Sequence, residues 1–91
     1  METVLIDGPT GELEVALHLN GQAGQLLIIC HPHPLFGGTM NNKVVTTVAN
    51  THLELGINVV RFNFRGVGKS EGQYGEIKGE VDDCLAVLKW L

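Results

Sequence analysis

An antiparallel β-hairpin followed by a parallel β-α-β-α unit is predicted, an α/β fold with helices on both faces of one sheet. Three features lead there. Glu12 to Asn20 alternates apolar and polar residues, Leu26 to Cys30 is an unbroken apolar run, and a helix-spaced segment separates that run from a second β-rich run at Ile57 to Phe62. Alternation marks a strand with one wet face. A continuous apolar run between polar turns marks a strand buried on both faces, as in the middle of a parallel sheet. A strand–helix–strand unit almost always closes as a right-handed parallel crossover.

The elements follow in order. The first strand is expected over residues 2–6, with Thr3 to Ile6 as its β-rich part. The second is expected over 12–20, with Leu13, Val15, Leu17 and Leu19 on one face and Glu12, Glu14, His18 and Asn20 on the other. Asp7-Gly8-Pro9-Thr10-Gly11 between them is a turn cluster, so the two should pair as a hairpin. The third strand is expected over 25–31 and the fourth over 57–63. The helix between them should run over 42–55, with Val44, Val45, Val48, Ala49 and His52 toward one face and Gly56 as its stop. The last helix is expected over 76–91. Its stripe reads Ile77, Val81, Cys84, Leu85 and Leu88, opposite Lys78, Asp82, Asp83 and Lys89. Acids early in that helix suit its dipole.

Composition bounds the function. The 91 residues are 44% hydrophobic and 18% charged, enough for one modest core and too few for two domains. A formal charge of −4 lacks the basic footprint of a nucleic-acid binder. No apolar run is long enough to span a membrane, and no signal peptide follows Met1-Glu2. Cys30 and Cys84 form no C-x-x-C pair and read as buried free thiols of a reducing, cytoplasmic compartment.

Two loops carry the candidate chemistry. His31-Pro32-His33-Pro34-Leu35-Phe36-Gly37-Gly38 leaves the carboxyl end of the third strand, the side on which open α/β sheets bind ligands. Because prolines have no N–H, the first amides able to face an anion belong to His33, Leu35 and Phe36, so the loop can form an oxyanion hole. Otherwise it is a rigid turn with packed imidazoles. His31 and His33 alone do not complete a metal shell, and no metal is expected. The second loop, Asn63 to Gly72, leaves the fourth strand. Gly68-Lys69-Ser70 resembles the tail of a phosphate-binding loop, but Asn63 stands where that motif needs glycine. Gly68-Lys69-Ser70-Glu71-Gly72 also satisfies G-x-S-x-G. A nucleophile elbow needs a strand running straight into the serine and a helix directly behind it. Arg65-Gly66-Val67 and Gln73-Tyr74-Gly75 separate them here, so Ser70, the only serine, reads as a loop former. Asp82 and Asp83 point about 100° apart on a helix and read as solvated acids. His18 and His52 have no evident partner in the sequence.

His31-Pro32-His33-Pro34, Gly37-Gly38-Thr39-Met40, Asn42-Lys43-Val44-Val45 and the run Val60 to Gly72 together resemble the α/β-hydrolase superfamily, most of all its dienelactone-hydrolase-like and esterase-like branch. Arg65-Gly66-Val67-Gly68-Lys69-Ser70 resembles the R-G-x-G-x-S loop after that fold's fourth strand, and Asp82-Asp83 to Trp90 the helix behind it. The resemblance implies a serine hydrolase with a Ser–Asp–His triad, no cofactor, and small-molecule ester or related acyl substrates. It implies that the backbone N–H of His33, or failing that Leu35, forms part of the oxyanion hole. His31, Gly37, Gly38, Arg65, Gly66, Gly68 and Ser70 would then be structural loop residues. In that family the nucleophile follows the fifth strand, and acid and base come later. The chain is therefore expected to be the N-terminal half of such a fold, lacking the triad and inactive alone. With the fifth strand absent, the strand at 25–31 becomes an unprotected edge, so a homodimer or aggregation through it is expected. A non-catalytic self-associating α/β module and a phosphate or nucleotide binder using Gly66 to Ser70 are the alternatives.

Overall fold

The structure is a computed structural model that describes residues 2–19, 24–31, 33, 38–75 and 77–91. Leu35 and Gly37 lie outside the described residues, as do Pro32, Pro34, Glu76 and the start of the second turn. The chain order is β1 (Glu2–Gly8), β2 (Gly11–His18), β3 (Leu26–Ile29), α1 (Lys43–Glu54), β4 (Asn58–Phe62) and α2 (Lys78–Trp90). Among the described residues the strands form one sheet in the order β1-β2-β4-β3.

β1 and β2 pair antiparallel with Val4 opposite Val15 and Ile6 opposite Leu13. β1 runs two residues further than expected, because Asp7 and Gly8 still pair with Glu12 and Gly11. The alternation in β2 places Leu13 and Val15 at 1% and 0% exposure, whereas Leu19 lies beyond the strand and is exposed. β2 then pairs antiparallel with β4, Val15 against Phe62 and Leu17 against Val60.

β3 runs parallel to β4, with Leu27 beside Val59 and Ile28 beside Val60. It is not buried on both faces, as its apolar run suggests. Its four residues are exposed or half-buried, and Leu26 keeps 42% of its surface. The fully covered strand is β4, which has a neighbour on each side, and Val59, Val60 and Phe62 are all 0% exposed. No strand covers the outer side of β3 among the described residues.

The two faces of β4 use alternate residues. Val60 and Phe62 join Ile6, Leu13, Val15, Phe64 and Val87 of α2 in the main core. Fully burying a side chain such as Phe62 or Val87 stabilises the fold by about 1.5–3 kcal/mol. Arg61 points to the other face and reaches Met40 and Asn41 just before α1. Each helix thus covers one face. Asn42 caps α1 by accepting the Val44 N–H at 2.9 Å. Gly56 at φ +81° closes it, while Gly56 and Ile57 donate back to the carbonyls of Leu53 and His52. Val45 and Ala49 are the buried positions of α1, and Val44 is exposed rather than packed.

α2 departs most from the expected pattern. Its buried residues are Gly79, Glu80, Asp83 and Val87. Ile77, Val81, Leu85 and Leu88, the expected buried stripe, are each about half exposed or more. Asp83, expected to be solvated, is 0% exposed. A buried ion pair described below turns the helix.

Candidate functional site

Both candidate loops leave the carboxyl ends of the parallel strands, so the turn from strand to loop brings them together. In the first, His31 is buried and its Nε2 accepts the Phe64 N–H at 3.1 Å, with its ring edge-on to Phe64. This bond ties the exit of β3 to the exit of β4. His33 is half-buried, and its Nε2 lies 2.7 Å from the Tyr74 hydroxyl, one donating to the other. Its carbonyl accepts the N–H of buried Gly38 at 3.2 Å.

The second loop is zipped along β2. Ser70 is buried. Its hydroxyl donates to the Asn63 carbonyl at 2.6 Å and accepts the Glu14 N–H at 2.8 Å. Both hydrogen-bonding roles are used for structure, and no histidine is among those partners. Glu14 Oε1 accepts from Asn63 Nδ2 at 2.8 Å and from the Lys69 N–H at 2.9 Å. Asn63 Oδ1 accepts the Met40 N–H at 2.8 Å, which links this loop back to the first. Gly66 and Gly68 take φ of +77° and +55°, angles that side chains disfavour. A Cβ at Gly68 would also collide with Asn63 Nδ2 and come within 2.7 Å of Glu14 Oε1.

Arg65 and Asp83 form the buried pair that orients α2. Arg65 Nη2 donates to Asp83 Oδ1 at 2.9 Å, and the Arg65 backbone N–H donates to Oδ2 at 2.9 Å. Arg65 Nη2 also reaches the Gly79 carbonyl at 2.8 Å, and Gly79 leaves room for the guanidinium. Hydrogen bonding to Asp83 raises the Arg65 pKa further above its ordinary value. Glu80 turns back and accepts the N–H groups of Gly75 and Ile77, both at 2.9 Å, capping α2.

On the other face, Arg61 Nε donates to His18 Nε2 at 3.1 Å. Desolvation, then the nearby Arg61 charge, hold the His18 pKa below its ordinary value. Desolvation lowers the Arg61 pKa as well.

Between the loops and α2 lies an open, mostly apolar groove of about 390 Å³. His33, Phe64, Tyr74, Val81 and Leu85 are among its walls, and Cys30 and Cys84 meet in it. Among the described residues no three His, Cys, Asp or Glu side chains converge as metal ligands. Asp83, Glu14, Asn63 and Tyr74 were not legible as site-building residues. The available signal for Asp83 was its position one turn after Gly79, facing a preceding loop that offers an arginine.

No family model matches the chain. It is 59% identical to a solved α/β serine hydrolase homologue from Coxiella burnetii, with a TM-score of 0.90, over 98% of this chain and 44% of that one. It is 48% identical, at a TM-score of 0.90, to XC6422 from Xanthomonas campestris, a member of the α/β serine hydrolases without a lid, over 98% of this chain and 43% of that one. The chain belongs to the α/β-hydrolase superfamily. An uncharacterised protein of Rickettsia prowazekii, RP471, is 39% identical over all of this chain and 39% of its own length. The chain thus spans about two fifths of each of these three relatives, and its sheet is the N-terminal half of an α/β-hydrolase fold. Among the described residues no helix is long and apolar enough to cross a membrane.

Proposed function

We propose that these residues form the N-terminal part of a serine hydrolase of the dienelactone-hydrolase-like or esterase-like branch. It would act on small ester or related acyl bonds, without a cofactor, in the cytoplasm. The observation that carries this reading is that His31 and His33, at the carboxyl end of β3, line an apolar groove in a chain closely similar to α/β serine hydrolases. The His33 N–H would supply one oxyanion donor. Leu35 is the alternative donor and lies outside the described residues. Ser70 is held by two structural hydrogen bonds, so the 91 residues alone would not catalyse.

A chimera tests the positive half of the proposal. The 91 residues would replace the matching segment of the Coxiella burnetii relative, and hydrolysis of activated esters would be followed. The chimera should turn over. His33→Pro, which removes the N–H, should lower kcat by about 10²–10³, whereas His33→Ala, which keeps it, should stay within a few-fold. Equal effects of the two variants would remove His33 from the oxyanion hole.

A second reading concerns partners. β3 lies at the sheet edge with Leu26 42% exposed, and Val81, Leu85 and Leu88 of α2 are 47–52% exposed. An edge without charge or proline invites another strand. The isolated chain would therefore self-associate through β3, as a dimer or aggregate. Light scattering should give a mass that rises with concentration, and a strictly monomeric chain would refute it. Binding of a nucleotide phosphate at Gly66 to Ser70 has less support, because Glu14 Oε1 already accepts the Lys69 N–H.

A further inference from the structure

Cys30 ends the apolar run of β3, and Cys84 stands in the second turn of α2, 54 residues later. Their sulfurs lie 3.7 Å apart, with the Cys30 thiol directed at Cys84 Sγ. Both line the open groove. Neither is the buried thiol that the sequence suggests: Cys30 is exposed and Cys84 half-buried. Two thiols 3.7 Å apart, reachable from solvent and carried on separate elements, must close by roughly 1.7 Å to reach the S–S bonding distance of about 2.05 Å.

We propose that Cys30 and Cys84 form a reversible dithiol–disulfide site that fastens β3 to α2 across the groove. The oxidant is a small disulfide such as oxidised glutathione. One cysteine thiolate attacks a glutathione sulfur, breaking the S–S bond and releasing one glutathione thiolate. The second cysteine, losing its proton to solvent, attacks the mixed disulfide and releases the other glutathione. The dithiol loses two electrons and two protons, and the oxidant leaves as two molecules of glutathione thiol.

The bond would close a long loop and fix the residue directly before His31, so it would hold the first loop against α2. The Cys30 thiol is pushed up to about 12, by desolvation first and then by its hydrogen bond to Cys84. Exchange should accordingly be slow near neutral pH and accelerate as pH rises, because the thiolate is the attacking species.

The full chain would be incubated with defined ratios of reduced to oxidised glutathione and read by intact mass, non-reducing peptide mapping and thermal melting. The expected product has the mass of a single chain less two hydrogens, with a Cys30–Cys84 peptide and a melting temperature raised on the order of 10 °C. Cys30→Ser and Cys84→Ser should each stop at the mixed disulfide with glutathione. Wild-type protein that carries two glutathiones, links only between chains or stays unmodified would overturn the proposal.

Discussion

Removing the Asp83 carboxylate tests the interaction that orients α2. Asp83 is fully buried and accepts the Arg65 backbone N–H, Nε and Nη2 at 2.9–3.2 Å. Asp83→Ala strands a buried guanidinium and a buried amide together. Deleting one partner of a buried ion pair costs about 3–5 kcal/mol. A chain of this size has total stability of roughly 5–14 kcal/mol at ordinary values per residue. The variant should therefore lose a large share of its folding free energy. In urea, with a slope of about 1–1.5 kcal/mol per molar, the midpoint should fall by roughly 2–5 M. Asp83→Asn keeps an acceptor for the amide but leaves the arginine without a counter-charge, so it should fall between. Arg65→Met with Asp83→Asn removes the charge while keeping that acceptor, and should recover to within about 2 kcal/mol of wild type. Circular dichroism across urea for wild type, Arg65→Met, Asp83→Asn and the double variant closes the cycle. A loss under about 1 kcal/mol in Asp83→Ala, or additive costs in the double variant, would refute the view that this pair sets the helix.

Three further outcomes follow from single positions. Gly68→Ala should destabilise by about 1–3 kcal/mol in urea titration, since it meets both a left-handed φ and the Asn63 side chain; an unchanged midpoint would show that the loop adjusts freely. His18 has a folded pKa below its ordinary 6.5, so the unfolded chain binds more protons in that window. Stability should be level above pH 6.5 and fall as pH drops from there through the lowered folded value, and His18→Gln should flatten that part of a melting-temperature profile; an identical slope in both would place the titration elsewhere. Ile77 holds φ +76° at the start of α2 with 66% of its surface exposed, so Ile77→Gly should raise stability by about 1 kcal/mol; a lower midpoint would contradict the assigned strain.

The parts legible in the sequence are those governed by near neighbours. The alternation of Leu13 and Val15 is a period-two signal, and it reappears as burial in β2. Asn42 and Gly56 bracket α1 through bonds reaching no more than five residues. The parallel pairing of β3 with β4 follows from the crossover between them. What the pattern misjudged depends on distant partners. The exposure of β3 is decided by what stands beside it, and an apolar run carries no information on that. The rotation of α2 is decided by Asp83 meeting Arg65, 18 residues earlier, which overrides the apolar stripe. Within the site, the motif marks Ser70 as a loop residue. That its hydroxyl joins β2 to Asn63 could be seen only once a strand 56 residues away was in place.

These residues are proposed to build and brace the scaffold side of a hydrolase site and to hold no nucleophile of their own. Labelling of the 91-residue chain with a fluorophosphonate probe addresses this most directly, beside Ser70→Ala and a relative of full length as positive control. The relative should be labelled and neither form of the chain should be, because the Ser70 hydroxyl is buried and donates to the Asn63 carbonyl. Stoichiometric labelling of the wild-type chain, lost in Ser70→Ala, would contradict this and make the G-x-S-x-G match a working nucleophile.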